Sequence, residues 1–260
     1  MAPTYADHPF PLIPTPVFLK GKDAKIDFFD RCASEMACVH NMVSRGLNAI
    51  YLQAPHIQAK DEKAFCTFIT HWYNLLHLHH AGEEEDFFPT IEKMAGEKGI
   101  MEHNVDQHHA FLGGFEALGS YAKACAAGDQ KYDGRKVVEM IDGFGSELSQ
   151  HLADEIPTIE GLRRFGEEKM AGLTAVLDRE GERNQKNLGI MGLCACYAML
   201  DIHYEDDLWI NWPPAPGVVK FVCRNVVWRL NADMLKFGAV DKDGKMKPLY
   251  AVPQETEGTA

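Results

Sequence analysis

Between residues 24 and 52 the apolar side chains recur three and four positions apart: Ile26, Phe29, Cys32, Met36, Val39, Val43, Leu47 and Ile50. This is the 3.6-residue period of an amphipathic helix, and Pro55 ends it. A second such segment runs from about 60 to 88 on Phe65, Phe68, Trp72, Leu75 and Leu76, with Pro89 expected to weaken or kink its end. A third runs from about 98 to 126 on Phe111, Leu112, Phe115 and Leu118 and stops at "AAGD". The fourth starts after "YDG" near 134 and carries Val138, Ile141, Phe144, Leu148 and Leu152 toward Pro157. β-Branched alternation is scarce, which argues against a sheet. Four long amphipathic segments joined by short links predict an all-α fold, an antiparallel four-helix bundle over 23–160.

The flanks read differently. Residues 1–22 hold five prolines and no helical period, so they predict an extended arm. Its string Phe10, Leu12, Ile13, Val17 and Phe18 is expected to pack on the body. Residues 161–260 predict a helical C-terminal extension packed on the bundle, not a second domain. One helix is expected over 158–185 and another over 217–237, after the break "NWPPAPG"; "DKDGKMKPLY" reads as a turn.

Composition narrows the partners. The net charge is −12, which argues against a nucleic-acid or anionic-membrane partner, because phosphate binding needs concentrated Lys and Arg. The N-terminus lacks a basic segment followed by an apolar core, and the run "LGIMGLCACYAML" is too short to span a bilayer. Seven cysteines are scattered without a C-x-x-C pair, and Cys194 and Cys196 read as small core residues. The expectation is a cytoplasmic protein. The pattern is silent on oligomeric state.

The chemistry sits on the apolar faces. Side chains at i and i+4 of a helix share a face, so His80 with Glu84, and His151 with Glu155, can each grip one ion or two adjacent ions. His40 is in phase with Met36, Val43 and Leu47, and His108 with Phe111, Phe115 and Leu118. A bundle whose four helices each aim a histidine inward, two adding a glutamate, has the parts of a dinuclear metal centre. Burying those carboxylates without a partner costs several kcal/mol, roughly, and divalent cations remove that cost. Imidazole with carboxylate and no thiolate favours iron or manganese over structural zinc.

These residues resemble the hemerythrin-like, HHE cation-binding family. The resemblance rests on H-x3-E-x3-FP at His80, Glu84, Phe88 and Pro89, on "HHAFLGGFEAL" at 108–118, on H-x3-E-x-P at His151, Glu155 and Pro157, and on "VHNMVSRGLNAI" around His40. "PFPLIPTP" and "NWPPAP" are similar to segments of longer fungal members. The resemblance implies a bundle holding two iron ions, with manganese an option at one, ligated by His40, His80, Glu84, His108, His151 and Glu155. The two glutamates would bridge. Oxygen-carrying members have H-x3-H on the third helix, where this chain has Asn104 before His108. On the fourth helix their carboxylate stands one residue later. The lost imidazole implies an under-coordinated iron, which favours redox chemistry over simple carriage.

Other candidates take plainer roles. His77 is expected to stand behind the site as a supporting donor, or to reach it as an extra ligand. His79, Glu83, Glu85 and Asp86 read as a solvated face, and His103 and His109 as surface. Asp201, His203 and Glu205 read as a polar loop rather than a second metal site. The leading expectation is a di-iron protein that binds and activates dioxygen, an oxidase or oxygenase acting on a small organic molecule. The alternatives are a store or sensor of oxygen, nitric oxide or iron, or a protein that removes peroxide or nitric oxide.

Overall fold

The computed structural model describes residues 4–253, so the first three residues of the predicted arm and the last seven of the extension lie outside the described residues. The chain is helical, with no named strand among the described residues and a single isolated bridge, Val240 to Met246, closing the predicted turn. Four elements form the bundle: α2 (Phe28–Gln53), α3 (Glu62–Gly82), α5 (Glu102–Ala127) and α7 (Gly145–Gly161). Helix α3 packs on α5, α2 on α7, and α5 on α7. The core between them holds Trp72, Phe65, Phe68, Phe111, Phe115 and Phe144, all fully buried.

Two boundaries differ from the pattern. The second helix ends at Gly82, before Pro89. A π-turn, Glu83–Phe87, already breaks the regular ladder, so Pro89 falls at the start of α4 (Phe88–Ala95), where its missing N–H costs nothing extra. The fourth segment is two helices, α6 (Gly134–Asp142) and α7, because the chain turns at Gly143 and Phe144 and buries the Phe144 ring.

The arm is tied down by polar side chains of α2 that the apolar pattern passes over. The amide of Asn48 accepts from Phe10 N at 2.9 Å and donates to Ala6 and Phe10 carbonyls at 3.0 and 2.8 Å. Asn41 pairs both ways with the Ile13 backbone at 2.7 and 2.8 Å. The arm also carries a short helix, α1 (Pro16–Lys20), capped by Thr15. Lys20 of α1 meets both oxygens of buried Asp30 at 2.6 Å, and Arg163 reaches the same carboxylate at 2.9 Å.

Burial alone would raise the pKa of Asp30, but Lys20, the Asp27 N–H and Arg163 outweigh it and hold it down to about 2. A depressed carboxylate contributes stability above its unfolded pKa and loses it as pH falls through the folded one. The contribution, about 2 kcal/mol after allowing for the half-exposed partners, is present above roughly pH 4 and gone below about pH 2. Asp30→Asn is therefore expected to lower the melting temperature at pH 7 and to leave it unchanged at pH 2. Thermal scans at the two pH values check this.

The extension is a long kinked helix, α8 (Leu173–Met199), followed by the short pieces α9 (Gly217–Val222), a π-turn, α10 (Trp228–Leu230) and α11 (Ala232–Leu235). Helix α8 starts and ends later than the predicted 158–185 segment, and Gly189 supplies its kink at φ 61°. It lies against α3 and α2. Asp201, His203 and Glu205 do not converge. The Asp201 carboxylate accepts from His203 N at 2.9 Å, His203 Nδ1 meets Asp207, and Glu205 accepts from Thr15 N at 2.7 Å and Trp209 Nε1 at 2.8 Å. Glu205, Asp206 and Asp207 are all left-handed, with φ of 57°, 58° and 64°, a strained turn that these bonds hold. No helix among the described residues is long and apolar enough to cross a membrane.

Candidate metal centre

Five histidines and two glutamates occupy one level of the bundle. His40 comes from α2, His79 and His80 from the end of α3, Glu83 from the π-turn, His108 from α5, and His151 and Glu155 from α7. All are buried. Ligand atoms of His80, Glu83, His108 and His151 lie within 4.8 Å of one another, and so do those of His40, His79 and Glu83. Glu83 belongs to both groups. Glu155 stands between them, with Oε2 3.4 Å from His40 Nε2 and 4.0 Å from His151 Nε2.

Three of the rings are oriented from behind. His40 Nδ1 donates to the Leu152 carbonyl at 2.7 Å, His108 Nδ1 to Glu84 Oε1 at 2.7 Å, and His151 Nδ1 lies 3.4 Å from Gln107 Oε1. A proton fixed on the outer nitrogen leaves the inner Nε2 as a lone pair. The inner nitrogens converge: His108 and His151 Nε2 are 3.0 Å apart, and His40 and His79 Nε2 3.2 Å. Phe88 stacks on His108, and Phe111 packs on His80 and His151, which keeps water from the rings.

The electrostatics suit ligands of cations. Burial first, then the neighbouring imidazoles, pushes His79, His80 and His151 well below the usual histidine range. Burial also lowers His108, partly offset by Glu84. Burial, then the Glu155 carboxylate, drives Glu83 well above the usual range. Both oxygens of Glu83, both of Glu155, His80 Nε2 and both amide atoms of Asn104 have no hydrogen-bond partner. Leaving buried polar atoms unpaired costs about 1–3 kcal/mol each, more for charged groups. Cations beside neutral imidazoles and two carboxylates satisfy the Glu83, Glu155 and His80 atoms together, so the residues present fit a pair of metal ions.

Of the sequence-predicted ligands, the structure brings together His40, His80, His108, His151 and Glu155. It does not place Glu84 among them. Glu84 sits at the exposed margin, behind His108. The carboxylate that enters is Glu83, and His79 enters with it. The reason is helical phase. The stripe Phe65, Phe68, Trp72, Leu75 and Leu76 continues, seven residues on, from Trp72 to His79 and from Leu76 to Glu83. Glu84 lies about 100° off that line. The signal was in the stripe, and pairing His80 with its i+4 partner overrode it. Glu85 and Asp86 face outward, onto Arg183 and Arg179. His77 does not support the site: it is half exposed, stacks on Tyr73 and meets Glu116 at 3.3 Å. Asn104 is fully buried one turn before His108, and both its amide atoms lack a hydrogen-bond partner.

Residues 34–157, the segment that supplies every member of this cluster, match the hemerythrin HHE cation-binding domain. Over that segment the chain is similar to the hemerythrin HHE family. The buried His and Glu groups all fall inside that matched segment, and the arm and extension lie outside it. The whole chain is also similar to a fungal protein, dimeric xanthone biosynthesis cluster protein R11 of Cryptosporiopsis sp. (strain 8999). The two are 29% identical over 252 residues, covering 96% of this chain and 93% of that one. The similarity therefore runs through the extension as well as residues 34–157. No solved structure matches the chain.

Proposed function

We propose that this protein is a non-heme oxidoreductase that holds two iron ions and uses dioxygen on a small organic molecule. The observation that carries the reading is an access route: a cavity of about 300 Å³ between the bundle and the extension is lined by His79 and Glu83 of the cluster. A carrier of dioxygen needs no such space for an organic molecule. The name of the fungal relative places that protein in a biosynthesis cluster, which supports an enzymatic role here.

In this reading His80, His108, His151 and Glu83 hold one cation, His40 and His79 the other, and Glu83 and Glu155 offset the charge of both. A pair of iron ions supplies the electrons that dioxygen needs and that no side chain of the cluster can give. The protein's own part is to keep the rings in one tautomer, through Leu152 O, Glu84 and Gln107, and to keep water out with Phe88 and Phe111. Manganese at one position fits the same donor set.

The test is oxygen uptake by iron-loaded protein in an oxygen electrode with excess ascorbate. Sustained uptake of many molecules per chain is expected. Uptake that stops at one equivalent makes the protein a store or sensor instead.

A further inference from the structure

The cavity beside His79 and Glu83 continues into a second one of about 140 Å³. The two share Val39, Leu75, Gly181, Asn184, Trp212 and Pro213, so they are lobes of one recess. Its far wall belongs to the extension: α8 on one side, Trp212 and Pro213 on the other. The strained left-handed turn at 205–207, anchored to Thr15 and Trp209, fixes the chain that leads to Trp212.

Two atoms on that wall want a partner. Glu180 Oε2 and Asn184 Oδ1 are buried acceptors with no hydrogen bond, and both residues line the first lobe. They stand at i and i+4 on α8, about 6 Å apart along the helix axis. Glu180 is only 9% exposed. It fits there because residue 82 is glycine: an added Cβ at Gly82 would collide with Glu180 Oε2. Arg183 approaches the other oxygen, Oε1, at 3.7 Å, and the Asp86 carboxyl also lies beside Glu180.

The remaining charges on the wall are Glu35, Asp178 and Glu182, and no Lys or Arg lines either lobe. An anion is repelled from such a recess. The second lobe carries no charged residue, and Met42, Leu188, Leu193 and Leu200 line it. The indole of Trp212 and the ring of Pro213 add flat apolar faces to both lobes. The matching ligand has a flat apolar body and two hydrogen-bond donors on one edge.

We propose that this recess binds a neutral aromatic molecule of the dihydroxyarene class, its hydroxyls donating to Glu180 and Asn184 and its rings lying in the apolar lobe against Trp212. As the identity of the organic substrate, this rests on the dioxygen-using reading above; as a binding site, it stands on the recess alone.

The experiment titrates the iron-loaded full chain with 1,3-dihydroxynaphthalene and follows quenching of tryptophan fluorescence, with Trp212→Phe to identify the reporter. Saturable binding is expected. The dimethyl ether, which lacks the donors, is expected to bind at least 10-fold more weakly, and 2-naphthoate not at all. Gly181 lines both lobes and an added Cβ there meets nothing within 4 Å. Gly181→Phe should therefore fold, keep its iron and melting temperature, and lose at least 10-fold in affinity for the diol. Asn184→Leu should weaken the diol but not the ether. Equal binding of ether and diol, unchanged affinity in Gly181→Phe, or no saturable binding overturns the proposal. Tighter binding of 2-naphthylmethylamine overturns it in favour of an organic cation. Diol binding without sustained oxygen uptake sinks only the oxidoreductase reading, and uptake without diol binding sinks only this one.

Discussion

Glu83→Gln is expected to strip the protein of most of its metal, whereas Glu84→Gln keeps it when iron is in excess. The substitution at 83 is isosteric and removes one negative charge from a carboxylate shared by both ligand groups. The loss of affinity should be at least 100-fold at each position, since a neutral amide neither offsets the cations nor bridges well. At 84 the carboxylate only accepts from the outer nitrogen of His108, at 2.7 Å. Losing such a partner costs about 10–100-fold. The metal-free proteins should rank the other way. Glu83 is buried with both oxygens unpartnered, so without metal Glu83→Gln should melt no lower than the unsubstituted chain. Iron content by elemental analysis, with melting curves of the stripped proteins, checks both halves. Equal iron loss from Glu84→Gln would return that carboxylate to the ligand set.

Removing the metal from the unsubstituted protein is expected to lower its melting temperature by roughly 10 °C or more. Bound cations cross-link α2, α3, α5 and α7 at one level of the bundle, and ligand bound at about 1,000 times its dissociation constant adds about 4 kcal/mol. For a chain of this size each kcal/mol moves the midpoint by about 2–4 °C. The stripped state also leaves the Glu83 and Glu155 oxygens buried without a partner, which deepens the drop. Scanning calorimetry with and without a strong chelator, then with iron restored, reads the effect directly. Full recovery on adding iron is part of the expectation, and an unchanged midpoint after verified metal loss would show that the bundle does not depend on the cluster.

The bundle was legible because its cores are simple: Phe65, Phe68, Trp72, Leu75 and Leu76 fall on one stripe, and one stripe makes one buried face. His40, His108, His151 and Glu155 were legible for the same reason, each being in phase with apolar neighbours on its own helix. Glu83 and His79 were not, because a run of His-His followed by Glu-Glu-Glu-Asp offers several i, i+4 pairs and only the stripe distinguishes them. The π-turn at Glu83–Phe87 could not be foreseen. It depends on tertiary packing that buries both Phe87 and Phe88, and nothing in a local period announces it. The extension was the least legible part. Helix α8 begins after Gly172 and kinks at Gly189, and its boundaries follow from docking on α2 and α3 rather than from its own pattern. For that reason the recess between α8, Trp212 and the bundle has no signature in the sequence, although every residue that lines it is ordinary.

The central claim is that the cluster shared by Glu83 holds two cations. Metal analysis of protein expressed with ample iron and purified without oxygen tests it most directly. The account predicts two metal ions per chain, iron predominating. A single tetrahedral zinc per chain, or no metal at all, would contradict it.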